Sequence, residues 1–271
     1  MSVVALLAGV FILLYAPTFR ALYETWKTDE DYSHGFLIIP ISLYLIWKKR
    51  EELLSRPGHP SNWGFAILAL WAVMYFLGYV GEISTFVSYS MIVFLFGAVI
   101  TLLGFGIAKA VAFPILFLIF MIPIPAEIYT TFTNPMKLMA TTSSVWFLHL
   151  FNVPVLQEGN LMHLPNYSMK VVMACSGMRS LISVTALALL MGYLLLTSNA
   201  RRLALFLLSI PVALLGNMLR ITVTGMLAYF VSTEMAEGYS HTMAGLVTFA
   251  LSFILLFAGV SLIQWIAPER N

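Results

Sequence analysis

RRLALFLLSIPVALLGNMLRITVTGMLAYF, residues 201–230, decides the fold of this chain. After the pair Arg201-Arg202, Arg220 is the one charged residue in a mostly apolar run from Leu203 to Phe230. A helix of about 20 apolar residues crosses a hydrocarbon core roughly 30 Å thick, so this run is long enough to span a bilayer. The rest of the chain matches it. Of 271 residues, 61% are apolar and 10% are charged, whereas soluble domains carry about 25% charged residues. The expected class is an all-α integral membrane protein, a polytopic helical bundle with residues 1–271 as one domain. The net charge of +2 is dispersed in short clusters and points to no nucleic-acid partner. Cys175 is the single cysteine, which excludes an intrachain disulfide. No internal repeat or low-complexity tract is visible.

Outward from residues 203–230, apolar runs lie at 178–198 and 241–266, the latter beyond an acidic loop from Ser232 to Ser240. Towards the N-terminus, further runs lie at 2–19, 36–47 (long enough to span when counted from His34), 62–80, 84–103, and from Lys109 to Ile122. Residues 2–19 follow no basic residue and precede no A-x-A-like site, so a first span is expected there and not a cleaved signal. Asn134-Pro135 reads as an N-cap and first helical residue, opening an interfacial or re-entrant helix at 135–151 that contains Lys137, Thr141, Thr142, Ser143, Ser144 and His149. Val155–Met173 alternates like strands, with turn signals at Gly159-Asn160 and Pro165-Asn166, so a small hairpin is expected.

Eight spans with a cytoplasmic N-terminus put Lys48-Lys49-Arg50, Arg56, Lys109, Arg201-Arg202 and Arg270 inside, and Arg20, Lys27, Lys137, Lys170 and Arg179 outside. A ninth span at 135–151 would carry Arg201-Arg202 outward, against the positive-inside rule. Both termini are then cytoplasmic.

In this topology Cys175 and His241 reach the outer side, and Arg220 lies within the seventh span. An arginine there costs at least about 2.5–3.5 kcal/mol without a polar interior to receive it. Helical spacing supplies polar stripes: Asn217, Arg220 and Thr224; Cys175, Arg179 and Ser183; His241, Gly245, Thr248 and Ser252. A thiol, an imidazole and a guanidinium suit acyl transfer, as nucleophile, proton carrier and anion stabiliser. Counting residues from Arg201-Arg202 puts Cys175 about 39 Å out and Arg220 about 27 Å out. On that count, tilt, a broken helix or a descending cavity is needed to unite them, or else Arg179 takes the anion.

Ala174-Cys175-Ser176-Gly177-Met178-Arg179-Ser180-Leu181, Asn217-Met218-Leu219-Arg220 and the later His241 resemble the three motif regions of the exosortase/archaeosortase family. Asp31-Tyr32-Ser33-His34-Gly35-Phe36-Leu37, ahead of a run ending in basic residues, is similar too. The resemblance covers nearly the whole chain. It implies a bacterial inner-membrane cysteine protease or transpeptidase with its site facing the periplasm. The implied substrates are exported proteins bearing a C-terminal Pro-Glu-Pro motif, a transmembrane segment and a basic tail. It implies Cys175 as nucleophile, Arg220 as essential arginine and His241 as third member. No soluble domain is expected after the last span.

Each residue also has a plainer reading. Cys175 suits a small buried hydrophobe, Arg220 a carbonyl-binding structural arginine, and His241 an interfacial cap. Arg179 suits a snorkelling residue or a neighbour that stabilises the thiolate, and Asn217 an orienter of Arg220. His34, His149 and His163 lack metal-ligand spacing and are assigned to interfaces, so neither metal nor cofactor is expected. Trp26, Trp47, Trp63 and Trp265 are assigned to membrane interfaces. The competing functional class is a transporter or channel-like component that binds an anion at Arg220; a non-catalytic scaffold for polysaccharide export is the third.

Overall fold

The computed structural model describes residues 2–165, 167–171, 177–236 and 239–266, and of 2–7, 235–236 and 239–242 the backbone alone. Two units are described separately, Met1–Pro125 and Ala126–Asn271. In the first, α1 (Ser2–Thr28) carries the first apolar run, and Pro17 sits within it. Asp29 then accepts a hydrogen bond from the Asp31 N–H and opens a 3-10 turn, Glu30–Tyr32. α2 (Gly35–Lys48) and α3 (Arg50–Ser55) follow, and then the antiparallel pair α4 (Trp63–Val80) and α5 (Ser84–Leu103). Tyr15 of α1 is fully buried against that pair, its hydroxyl 2.6 Å from Ser90 Oγ and accepting from Trp71 Nε1 at 2.8 Å.

The fifth apolar run is not one helix. Gly104 alone makes the turn, α6 (Phe105–Ala110) follows at once, and Val111 separates it from α7 (Ala112–Phe117) and a 3-10 turn, Leu118–Met121. The segment ending this unit is gripped by the acidic N-terminal motif. Trp26 Nε1 donates to the Met121 carbonyl at 2.8 Å, His34 Nε2 lies 3.0 Å from the Phe120 carbonyl, and Ile124 N donates to Tyr32 Oη at 3.1 Å. Trp26 and His34 therefore pack into this unit, while Trp47, Trp63 and Trp265 are exposed.

The second unit begins with α8 (Ala126–Leu150), a single helix that runs through Pro135. Asn134 is therefore no N-cap. Proline removes one backbone donor, and the hydroxyls nearby turn back onto their own helix, Thr133 onto the Tyr129 carbonyl and Thr141 onto that of Lys137. Of the polar residues that argued for an interface, Thr141 and Ser144 face inward, while Thr142 and His149 stay exposed. Thr133, Thr141 and Ser144 are buried, and Ser144 Oγ donates across to the Met218 carbonyl at 3.3 Å.

The expected hairpin is a three-stranded antiparallel sheet, β1 (Leu156–Glu158), β2 (Leu161–Leu164) and β3 (Tyr167–Lys170), in the order β1-β2-β3. Both turn signals fall between strands. Met162 and Leu164, alternating inward, pack with Val145, Leu148 and Val171 against Ile221. Ile221 belongs to α10 (Asn199–Phe230), which follows α9 (Met178–Leu195) and precedes α11 (Thr233–Ala236) and α12 (Tyr239–Ile266). α10 is the hub, packed on α8, α9 and α12. Its N-terminal half closes an apolar core, Leu205, Val212 and Ala213 against Val184, Ala188, Leu256 and Val260.

Among the described residues, five helices are long and apolar enough to cross a membrane: α4, α5, α9, α10 and Met243–Ile266 of α12. The number is up to six if the broken stretch across residues 112–150 counts as one span. The chain is a mostly helical, multi-pass membrane protein. Of the remaining runs, α2 has 14 residues, about 21 Å of helix, short of a hydrocarbon core.

Candidate active site

α10 brings the polar groups together because 3.6 residues per turn set Asn217, Arg220 and Thr224 on one face. All three are buried, Arg220 at 5% exposure and Asn217 at 2%. Arg220 Nη2 donates to Asn217 Oδ1 at 2.9 Å, and Thr224 Oγ1 returns to the Arg220 carbonyl at 2.9 Å. A guanidinium held this way keeps its charge in a fixed place.

α9 begins beside this pair. Gly177, its N-cap, has φ +90°, a left-handed conformation that glycine adopts without strain. A Cβ at Gly177 would stand 3.0 Å from Asn217 Nδ2, so the backbone two residues past Cys175 in the sequence lies on the residue that holds Arg220. The other end of that linking segment is fixed as well. Val171 is buried against Ile221; its N–H donates to the Asn160 carbonyl at 2.8 Å and its carbonyl accepts from Asn160 Nδ2 at 2.9 Å. Both flanks of residues 172–176 are thus anchored on one turn of α10, positions 217–221.

This arrangement corrects the depth count. α9 ends at Leu195 and α10 starts at Asn199. Residues 196–201 therefore add little depth: α9 rises about 27 Å, while Arg220 stands about 32 Å along α10. Arg220 is at least as far from the turn as the start of α9.

α12 contributes its first half. Gly245, Thr248 and Ser252 line a cavity of about 20 Å³ with Ser180 and Val184 of α9 and Gly216 of α10, room for about one water. The α9 face at this cavity is Ser180 and Val184, where the sequence reading put Arg179 and Ser183. Arg179 lies in the first turn of α9 and is partly exposed. His241 lies in the first turn of α12, one turn before Gly245; only its backbone is described. Cys175 lies outside the described residues. The Gly177–Asn217 contact was not legible in the sequence. The inward face of α8 was legible, because Thr133, Thr141, Ser144 and Leu148 keep a helical period.

His149 and His163 flank an open pocket on the sheet, His149 Nε2 bonded to the Val155 carbonyl at 3.0 Å and His163 Nδ1 2.9 Å from Ser168 Oγ. Among the described residues no three His, Cys, Asp or Glu side chains stand close enough to hold a metal.

The sequence profile of a family described as transmembrane exosortase (Exosortase_EpsH) matches residues 26–258. No curated protein and no solved structure matches the chain. The match takes in the motif around Tyr32 and His34, the sheet, and the helices that carry Arg179, Asn217, Arg220 and His241, and on that extent the chain belongs to the transmembrane exosortase family.

Proposed function

We propose that the protein is a cysteine transpeptidase or peptidase that removes the C-terminal sorting signal of exported proteins. The substrate carries a Pro-Glu-Pro motif, a transmembrane segment and a basic tail, and the helix of that segment enters laterally from the lipid. The observation that carries this reading is the seat of Gly177 on Asn217, the residue that holds Arg220. Two residues of chain span at most about 7 Å, which keeps Cys175 close to that pair.

In the proposed reaction the Cys175 thiolate attacks the scissile carbonyl carbon, forming a C–S bond. The Arg220 guanidinium neutralises the oxyanion, with Asn217 fixing its orientation. Collapse breaks the C–N bond, and the His241 imidazolium gives its proton to the departing amine. Water or another nucleophile then attacks the thioester and frees the thiol. Arg179, in the first turn of α9, stabilises the thiolate. The whole chain works as one domain in a bacterial inner membrane, with both termini cytoplasmic and the site facing the periplasm. The placement of the basic clusters supports that orientation.

The test is co-expression with a tagged exported reporter that carries such a tail. Loss of the tail with wild type and its retention with Cys175→Ala is the expected result. A tail left intact by well-inserted wild-type protein, on a substrate from the same genome, overturns the reading in favour of an anion-binding transporter.

A further inference from the structure

The first unit encloses an apolar cleft of about 590 Å³, apart from the site described above. It follows α5 from Met91 to Leu103, about 18 Å at the helical rise. Its lining is carbon almost throughout, and Ser42 is the one polar residue in it. The Ser42 hydroxyl is itself buried among protein atoms and faces away from the cleft's open space.

The cleft opens where Leu43, Leu54 and Leu103 are exposed. Cations gather at that end. Lys49 Nζ donates to the Ala110 carbonyl at 3.0 Å and Arg56 Nη1 to the Gly106 carbonyl at 3.2 Å, and Lys109 is exposed between those carbonyls in sequence. Glu51 and Glu52 pair with Arg50 at 3.5 Å and Arg56 at 2.6 Å, so Lys48, Lys49 and Lys109 carry the surplus positive charge of this cluster.

We propose that this cleft is a binding site for one acyl chain of an anionic phospholipid. The headgroup phosphate sits at the Lys49 and Lys109 rim, and the chain runs along α5 towards Met91. The basic cluster that reads as an orientation signal thereby gains a second role, as a headgroup seat.

The test is native mass spectrometry of the full chain in mild detergent after reconstitution into bilayers of equal phosphatidylglycerol and phosphatidylcholine. One retained phosphatidylglycerol per chain is expected. Leu95→Trp, which fills the cleft, lowers retention roughly tenfold, whereas Leu215→Trp on an exposed face of the other unit leaves it unchanged. Lys109→Gln, a surface change that leaves folding intact, lowers the preference for phosphatidylglycerol roughly fivefold. Retained lipid of bulk composition, retention by Leu95→Trp equal to wild type, or an unaltered preference in Lys109→Gln overturns the proposal. Recovery of a polyisoprenoid phosphate as the retained species also overturns it.

Discussion

Replacing Gly177 by alanine tests the contact on which the proposed site rests. Two costs follow from the structure. Holding a Cβ-bearing residue at φ +90° costs about 1–2 kcal/mol. The new methyl also stands 3.0, 3.2 and 3.3 Å from Nδ2, Cγ and Cβ of Asn217, so that side chain must shift by a few tenths of an ångström. Asn217 carries the acceptor of the 2.9 Å bond from Arg220, and displacing it releases the guanidinium. A loss of about 1–2 kcal/mol corresponds to a factor of about 5–30. The assay is the initial rate of reporter cleavage by gel shift, normalised to inserted protein, with thermal melting in detergent as a measure independent of substrate. A cycle with Asn217→Ala separates the two costs. That change removes Cγ and Nδ2, so the contact part is lost once, and the double variant falls short of the sum by about 0.5–1 kcal/mol. Wild-type rate and melting temperature in Gly177→Ala would refute the reasoning, and strict additivity in the cycle would refute the contact.

Other consequences are open to measurement. Arg220→Lys keeps a charge but loses the planar fork, and cleavage is expected to fall about 10²–10³-fold with insertion unchanged; a wild-type rate removes Arg220 from oxyanion stabilisation. Gly35→Ala places its methyl within the Trp26 indole, whose Nε1 donates to the Met121 carbonyl. An overpacking cost of about 1–3 kcal/mol should appear as a lower melting temperature, and an unchanged one refutes that packing. Tyr32→Phe strands the Ile124 N–H and should cost about 1–3 kcal/mol. Burial raises the Tyr32 hydroxyl above its usual pKa of 10.0. Its contribution to stability is therefore complete below pH 10 and is lost as pH rises through the higher folded value. The alkaline fall in melting temperature should be smaller in Tyr32→Phe than in wild type, and equal falls would exclude this tyrosine.

Several features of the fold follow from local sequence alone. The apolar runs at 62–80, 84–103, 178–198, 203–230 and 241–266 fold as helices because a chain in hydrocarbon must satisfy its backbone internally. The turns at Gly159-Asn160 and Pro165-Asn166 delimit strands for an equally local reason, the dihedral preferences of their residues. The stripe Asn217, Arg220 and Thr224 needed only the helical repeat. Tertiary structure decided what these faces meet. α8 starts eight residues before the expected N-cap at Asn134 and turns the Ser144 hydroxyl onto α10, where composition alone had suggested a surface helix. The seat of Gly177 on Asn217 arises from where α9 and α10 meet their connecting turn, and from the missing Cβ that lets the two backbones approach. Hydropathy says nothing about such contacts. Lipid tails are as apolar as leucine, so inside a membrane close packing and hydrogen bonding between helices, and not burial from water, choose the neighbour.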